Sequence, residues 1–137
     1  MTFTHRVPLR WSDFDGLGHV SHTAMLVLLE AGRDPALAAH GISSADYVVA
    51  HCEVTYRAEI AAGTTEVDVE CAVNGMGRTS ITTDERIVSG GTTVVEARFT
   101  LVLWDGVRRR ARPISDAERA SLVADSYART AGEKEQS

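Results

Sequence analysis

The sequence predicts an α+β fold in which a mostly antiparallel sheet folds around one helix. Three observations support this: a long apolar helical segment near the N-terminus, period-2 alternation in most of the chain after residue 44, and short glycine-containing turns between the alternating segments. With 137 residues, 44% of them hydrophobic, the chain has room for one core. We therefore expect a single domain over residues 1–128 and a polar, disordered tail over 129–137.

The first predicted element is a strand over residues 3–11, where apolar and polar side chains alternate from Phe3 to Trp11. Pro8 lies in its middle and argues for a sheet edge or a bulge, because proline cannot donate a ladder hydrogen bond. Residues 12–18 contain two aspartates and two glycines, a composition typical of a loop.

A helix is predicted over residues 20–40. Residues 24–29 are all apolar, which indicates a helix that is apolar nearly all round and therefore buried. Pro35 would break this helix, and Asp34 before it suits an N-cap, so a kinked second turn is expected to begin there. Gly41 is expected to end it.

Four strands with short turns complete the predicted sheet. They cover residues 47–58, 67–73, about 78–88 and 93–104. Asn74-Gly75 and Ser89-Gly90-Gly91 supply the residues that tight turns prefer. The last strand carries apolar side chains on both faces, so both faces need cover. A monomer would expose them, which predicts an obligate oligomer.

A basic segment and a short C-terminal helix follow. The segment contains Arg108, Arg109, Arg110 and Arg112. Exposed arginine runs are usually solvated faces, but this one is also a candidate for binding phosphate. Pro113 comes next, and Ser115 can cap the short helix with Glu118 as its capping-box partner.

Composition excludes several classes of function. The net charge of −5 disfavours binding to nucleic acid or to an anionic membrane. No apolar run approaches the ~18 residues of a membrane span, and no signal peptide is recognisable, so we expect a cytoplasmic protein. Cys52 and Cys71 lack metal-ligand spacing, which predicts reduced core thiols and neither a disulfide framework nor a zinc site. We also expect no metal or redox cofactor.

The segment from Trp11 to Val20 concentrates groups that can carry chemistry. Asp13 can hydrogen-bond loop amides, as aspartates in turns commonly do. Asp15 is expected immediately before a helix start, where a carboxylate can cap the helix and where the helix N–H groups can polarise a bound carbonyl. His19 can be a structural histidine or a substrate contact. The residues alone leave these alternatives open.

Three segments carry a resemblance to a known family. They read Asp13-x-Asp15-x-x-Gly18-His19-Val20 followed by Met25-Leu26 and Glu30-Ala31-Gly32-Arg33, then Gly77-Arg78-Thr79-Ser80, and finally Arg112-Pro113-Ile114. In this order they resemble the signature of hot-dog fold acyl-CoA thioesterases of the 4-hydroxybenzoyl-CoA thioesterase class. The resemblance extends from about residue 5 to 125.

The resemblance implies a hot-dog fold, in which an antiparallel sheet of about five strands wraps a long helix and a short C-terminal helix follows. It also implies a homodimer or homotetramer with active sites at the dimer interface. Asp15 matches the catalytic carboxylate, which attacks the thioester or activates water. The amides of Gly18, His19 and Val20 are the expected donors to the oxyanion.

Substrate contacts are expected at Asp13, His22, Arg78, Thr79 and Ser80. Among these, Arg78 occupies a position from which a basic side chain can reach the phosphates of coenzyme A. The chain departs from the family pattern in having Ser21-His22 and Met25. Gly32 and Pro35 also interrupt the helix of the pattern, and they are expected either to widen an acyl tunnel or to form a neutral kink. Glu30 and Arg33 are expected to form an intrahelical ion pair.

Two alternatives remain beside the thioesterase. A hot-dog hydratase or dehydratase would carry an Asp-x-Asn-Pro-x-His motif, which has no counterpart here. A non-catalytic acyl-CoA-binding module would keep the fold and Arg78 but could dispense with Asp15. No G-x-S-x-G motif occurs, so a serine nucleophile has no basis in the sequence.

Overall fold

The computed structural model describes residues 2–125 and contains an antiparallel sheet with one long and one short helix. The elements are β1 (Phe3–Pro8), α1 (His22–Ala38), β2 (Tyr47–Tyr56), β3 (Glu66–Met76), β4 (Ser80–Ser89), β5 (Thr92–Asp105), β6 (Arg110–Ala111) and α2 (116–125). Short 3₁₀ turns precede α1 and β2, at Trp11–Asp13 and Ser44–Asp46. The hot-dog fold expected from the sequence is confirmed. The predicted tail, 129–137, lies outside the described residues.

The strand order is β1-β3-β4-β5-β2, with β6 paired to the end of β5. The sheet therefore has two edges, and they differ. β1 has six residues and ends at Pro8, so the predicted edge position of this proline is confirmed. β2 has ten residues, and Val48, Val49 and Tyr56 are each 39–47% exposed along it. β2 is the edge able to pair with another strand.

One face of α1 packs on the sheet and the other is exposed. Buried positions recur at helical spacing from Ala24 to Leu37, whereas Val27 is 48% exposed and Glu30 is exposed. The expectation of burial on all sides is therefore wrong. Apolar composition alone did not reveal which face of the helix meets the sheet.

The helix is continuous through Pro35 and ends before Gly41, which adopts a φ of +77°. Asp34 therefore lies inside the helix and does not cap a second turn. Its carboxylate accepts a hydrogen bond from the Tyr47 hydroxyl at 2.7 Å. Gly32 has a packing role: a Cβ there would lie 2.2 Å from Cγ1 of Val69 on β3. A glycine is required where the helix backbone approaches the sheet this closely.

The turn predicted at Asn74-Gly75 is wrong. β3 continues through both residues with a register shift between Val73 and Gly75, and the chain reverses at residues 77–79 instead. The glycine that the pattern assigned to a hairpin turn lies instead at a bulge within β3. The turn at Ser89-Gly90-Gly91 is confirmed, with φ of +57° and +80° at its two glycines.

Cover for β5 comes mostly from within the protomer. Ala97, Phe99 and Leu101 are buried on one face, while Arg98 on the other face is exposed and ion-paired with Asp84. β2 pairs with β5 on one side only and exposes Val48, Val49 and Tyr56, so any argument for an oligomer rests on β2 and not on β5. Cys52 on β2 is exposed and only Cys71 is a core thiol, which corrects the expectation for this pair.

The predicted capping box of the C-terminal helix is confirmed. The Ser115 amide donates to Oε1 of Glu118 at 2.8 Å, and the Glu118 amide donates to Oγ of Ser115 at 3.1 Å. Over residues 2–125, no helix has the length and apolar character needed to cross a membrane.

Candidate functional site

The loop before α1 closes on itself through backbone hydrogen bonds. The Asp15 amide donates to the His19 carbonyl at 2.7 Å, and the Ser21 amide donates to the Asp13 carbonyl at 2.8 Å. Phe14 and Val20 face each other between these two bonds as an isolated antiparallel bridge. Gly18 completes the reversal with a φ of +78°, a conformation that favours glycine.

Asp13 is committed to the structure of the turn. It is 3% exposed, and its two oxygens accept hydrogen bonds from the Arg10 amide at 2.7 Å and from Nη2 of Arg10 at 3.0 Å. Both oxygens are therefore engaged within the loop. Its expected contact with substrate stays a prediction.

Asp15 is exposed, and only one of its two carboxylate oxygens accepts hydrogen bonds within residues 2–125. Its Oδ1 accepts hydrogen bonds from the amides of Leu17 at 2.9 Å and His19 at 3.2 Å. Within residues 2–125, Oδ2 accepts no hydrogen bond. The carboxylate is thus held in one orientation by backbone donors while one oxygen stays available to a ligand.

The amides around Asp15 belong to its own loop and not to the helix. α1 begins at His22, and its N-cap is Ser21, whose Oγ accepts a hydrogen bond from the Ala24 amide at 3.2 Å. The expectation that Asp15 lies at the helix start is therefore wrong. A serine cap and a short bridge separate the carboxylate from the helix dipole.

The three expected oxyanion donors differ in availability. The Gly18 amide donates to the Asp15 carbonyl at 3.0 Å, and the His19 amide is bonded to the Asp15 carboxylate. Val20 and Phe14 form a non-hydrogen-bonded pair of the antiparallel bridge, so the Val20 N–H points away from Phe14. This N–H makes no hydrogen bond within the described part of the chain. Val20 itself is buried, so its N–H is a polar group without a partner among residues 2–125. The expected roles of the three amides as oxyanion donors stay predictions.

Two histidines connect this loop to the C-terminal end of β2. Nε2 of His19 lies 2.7 Å from Oε2 of Glu59, and Nδ1 of His22 hydrogen-bonds the Tyr56 hydroxyl. The rings of His22 and Tyr56 also meet edge to face, with centroids 5.5 Å apart. Burial raises the pKa of Tyr56. Glu59 and Tyr56 gave no signal in the sequence, since neither belongs to a motif.

Arg78, Thr79 and Ser80 lie at the β3–β4 turn. The Arg78 carbonyl accepts from the Ile114 amide and the Thr79 carbonyl from the Leu103 amide, so backbone bonds fix the turn. The Arg78 side chain is exposed and makes no polar contact within residues 2–125. The side chains of Thr79 and Ser80 are half-buried beside it.

The two groups of predicted site residues lie at opposite ends of the sheet. Tyr56, which contacts His22, pairs with Val95 on β5, whereas Ser80 pairs with Val102. Val95 and Val102 are seven residues apart on one strand, or about 23 Å at the usual rise. Within one protomer, the Asp15 loop and the Arg78 turn therefore do not converge.

A buried ion pair between α1 and β4 replaces the expected pair of Glu30 with Arg33. Arg33 donates from Nε and Nη2 to the two carboxylate oxygens of Glu85 at 2.8 and 3.1 Å, while Glu30 is exposed. Thr83 also donates to Glu85, and the guanidinium stacks 3.9 Å from the ring centroid of Phe99. Burial opposes the charge on Arg33, but the bonds to Glu85 hold its pKa above the usual value.

No group of three or more histidine, cysteine, aspartate or glutamate side chains in residues 2–125 could hold a metal ion.

Comparison with known proteins points to one family. Residues 9–122 match the family model of the thioesterase-like superfamily. No curated protein matches the chain.

Three solved structures are similar along nearly their whole length. A "predicted thioesterase" from Bacillus stearothermophilus is 29% identical, with a TM-score of 0.81 and coverage of 91% of this chain and 96% of that one. A thioesterase from Thermus thermophilus, complexed with coenzyme A and zinc, is 30% identical, with a TM-score of 0.79 and coverage of 90% and 92%. A member of the thioesterase superfamily from Jannaschia is 25% identical, with a TM-score of 0.78 and coverage of 90% and 82%. The chain belongs to the thioesterase-like superfamily.

Proposed function

We propose that the protein is an acyl-CoA thioesterase in which Asp15 is the catalytic carboxylate. The observation that carries the proposal is the half-engaged state of Asp15, whose Oδ1 is fixed by two loop amides while Oδ2 stays open. Membership of the thioesterase-like superfamily supports the class of reaction. A carboxylate with one restrained and one free oxygen suits attack on a carbonyl or on a water proton.

Two chemical routes fit this carboxylate. In one, Oδ2 attacks the thioester carbonyl, an anhydride with Asp15 forms, the coenzyme A thiolate leaves, and water then hydrolyses the anhydride. In the other, Asp15 takes a proton from water as that water attacks the carbonyl; the tetrahedral intermediate then breaks its C–S bond, and the coenzyme A thiolate leaves and takes up the proton. Either route places negative charge on the carbonyl oxygen, and we assign its stabilisation to the Val20 N–H, which has no hydrogen-bond partner among residues 2–125.

Coenzyme A is proposed as the carrier of the acyl group. The thioesterase from Thermus thermophilus, 30% identical to this chain, is crystallised with coenzyme A. The exposed and unpaired Arg78 offers a charge-assisted contact for one of its phosphates. Thr79 and Ser80 beside it offer hydroxyl donors.

The active unit is proposed to be a homodimer joined along β2. This edge is ten residues long, contains no proline and exposes Val48, Val49 and Tyr56, whereas the opposite edge, β1, is short and ends in Pro8. A two-fold axis through β2 would pair two copies antiparallel and continue the sheet. It would set the Tyr56 end of one copy beside the Val48 end of the other.

Such a dimer would bring together the Asp15 loop and the Arg78 turn, which lie far apart within one protomer. The Asp15 loop lies at the Tyr56 end of β2, and the Arg78 turn lies at the Val48 end, because Val48 and Ser80 both pair with Val102. Antiparallel pairing would bring Asp15 of one copy towards Arg78 of the other. Sedimentation should then show no folded monomer at micromolar concentration, and a stable, active monomer would contradict an interface site.

The direct test of function is thiol release from a panel of acyl-CoAs with aromatic, short and long acyl groups, 4-hydroxybenzoyl-CoA included. Turnover of at least one substrate by the wild type, lost in Asp15→Asn, is the expected result. Binding of acyl-CoA without thiol release would favour a non-catalytic module. Addition of water across an enoyl-CoA double bond with the thioester intact would favour a hydratase.

A further inference from the structure

The turn over residues 15–19, here the Asp15 turn, has little support from the rest of the fold. Asp15 and Leu17 are exposed, and the backbone hydrogen bonds of the turn run between its own residues. Within residues 2–125, the one polar contact that the turn makes outside its loop joins Nε2 of His19 to Oε2 of Glu59 at 2.7 Å. The position of the turn against the sheet therefore depends on this contact.

His19 is the residue through which the contact reaches Asp15. The His19 amide donates to Oδ1 of Asp15 at 3.2 Å, and the His19 carbonyl accepts from the Asp15 amide at 2.7 Å. The backbone and the carboxylate of Asp15 are thus both bonded to His19. A shift of His19 would move the carboxylate, and a displacement of about 1 Å at a reacting group can cost about 100-fold in rate.

Glu59 lies in a segment that is anchored on both sides. The amides of Arg57 and Ala58 donate to the Val94 carbonyl on β5 at 2.8 and 3.3 Å. On the other side of Glu59, the Ile60 side chain is fully buried in the core. The carboxylate of Glu59 therefore reaches His19 from a fixed part of the fold.

The contact between His19 and Glu59 does not depend on the charge of the imidazole. Nε2 carries a proton in the imidazolium and in one of the two neutral tautomers, and the carboxylate accepts it in either state. Both side chains are at least half exposed, so the pair is expected to add little to global stability. Its effect is expected in the local position of Asp15.

We propose that Glu59 is a positioning residue for Asp15 and that it acts through His19. The inference rests on the proposed catalytic role of Asp15. Glu59 holds the imidazole of His19, the backbone of His19 holds Asp15 at its amide and at Oδ1, and the open Oδ2 is thereby kept in one direction.

Variants of Glu59 test the proposal. Glu59→Ala removes the acceptor, whereas Glu59→Gln keeps an amide oxygen that can accept from Nε2 of His19. The matched control is Glu66→Ala, which breaks an exposed pair with Arg6 where β3 pairs with β1. Each substitution is made in the wild type and in Asp15→Asn. Thiol release from acyl-CoA gives kcat and KM, and NMR hydrogen exchange of the Asp15 and His19 amides reports on the turn without any need for turnover.

Glu59→Ala should lower kcat by about 5-fold, the upper end of what an exposed pair contributes, with KM within about twofold. Glu59→Gln and Glu66→Ala should stay within about twofold of the wild type in both constants. In Asp15→Asn, Glu59→Ala should cause no further loss, because a residue that acts through Asp15 has no carboxylate left to position.

Four results would overturn the proposal. An unchanged kcat in Glu59→Ala would remove the positioning role. A loss in Asp15→Asn as large as in the wild type would show that Glu59 acts independently of Asp15. A loss in Glu59→Gln equal to that in Glu59→Ala would favour an effect of charge alone, and an equal loss in Glu66→Ala would favour a general surface effect.

The positioning role and the proposed hydrolysis can fail separately. Glu59→Ala should speed exchange of the Asp15 and His19 amides by about 5-fold. If the wild type releases no thiol but exchange is faster in Glu59→Ala, the contact still fixes Asp15 and the thioesterase proposal is wrong. If the wild type releases thiol and neither kcat nor exchange changes in Glu59→Ala, the thioesterase proposal stands and the positioning role is wrong.

Discussion

The two ends of strand β2 differ in how the polar groups beside them are paired. At the Tyr56 end, polar groups of the Asp15 loop satisfy one another, and a single carboxylate oxygen and the Val20 N–H remain open. At the Val48 end, the exposed Arg78 has no carboxylate partner among residues 2–125. The first end suits a reaction that needs one group held still, and the second suits recognition of an anion. We therefore propose chemistry at the Tyr56 end and binding at the Val48 end.

The largest expected effect is the loss of stability when the buried ion pair between α1 and β4 is broken. Glu85→Gln would leave Arg33 buried and charged without its carboxylate, which is expected to cost about 3–5 kcal/mol of unfolding free energy. Asp84→Asn breaks an exposed pair with Arg98 on the opposite face of the sheet and should cost about 1 kcal/mol or less. Denaturant unfolding measures both, and equal costs would refute a structural role for the buried pair.

The next effect separates the two ends by chemistry. Asp15→Asn should lower kcat for acyl-CoA by about 100-fold or more, or about 2.7 kcal/mol, because the neutral amide can neither attack nor take a proton. The Kd for coenzyme A should stay within about twofold, because this end does not hold the phosphate. Stopped assays at saturating substrate supply kcat, and turnover near that of the wild type would eliminate Asp15.

Asp13→Asn tests whether the loop divides its two carboxylates between structure and chemistry. Asp13 is buried and bonded twice to Arg10, so its loss should lower stability by about 1–3 kcal/mol with a smaller effect on kcat. Thermal unfolding read beside kcat gives the answer. If turnover disappears while Tm is unchanged, the roles of the two aspartates are reversed.

The smallest effect concerns the Val48 end and its pH dependence. Glu118 has a folded pKa of about 2 against an ordinary value of 4.5, so its pairing with Arg112 contributes stability that is present above 4.5. That contribution is lost as the pH falls from 4.5 towards 2. Glu118→Gln should flatten this part of the stability profile relative to the wild type. Parallel profiles over the window would show that the pair is not coupled to folding.

Sequence reasoning succeeded where local patterns decide structure. The period-2 strands, the edge proline and the Ser115–Glu118 cap depend on neighbouring residues, and all three are confirmed. It failed where distant residues decide. The exposed face of α1, the Arg33–Glu85 pair and the close contact of Gly32 with Val69 depend on how the helix lies on the sheet, which no periodicity encodes.

The candidate site was predictable only in part. The motif located Asp15, His19 and Arg78, but it placed Asp15 at the helix start, which the Ser21 cap contradicts. Glu59 was missed, because it reaches the site through a contact with His19, more than 35 residues away in sequence. The separation of the two ends became visible only with the strand register.

The most direct test of the central claim, that one site combines Asp15 of one copy with Arg78 of the other, uses mixed dimers. Subunits carrying Asp15→Asn and subunits carrying Arg78→Gln are co-expressed with different tags, and the heterodimer is purified. A shared site gives one doubly defective and one intact site, so we expect about half the wild-type kcat with the wild-type KM. Activity only at a raised KM, as from an arginine-deficient site, would contradict the claim.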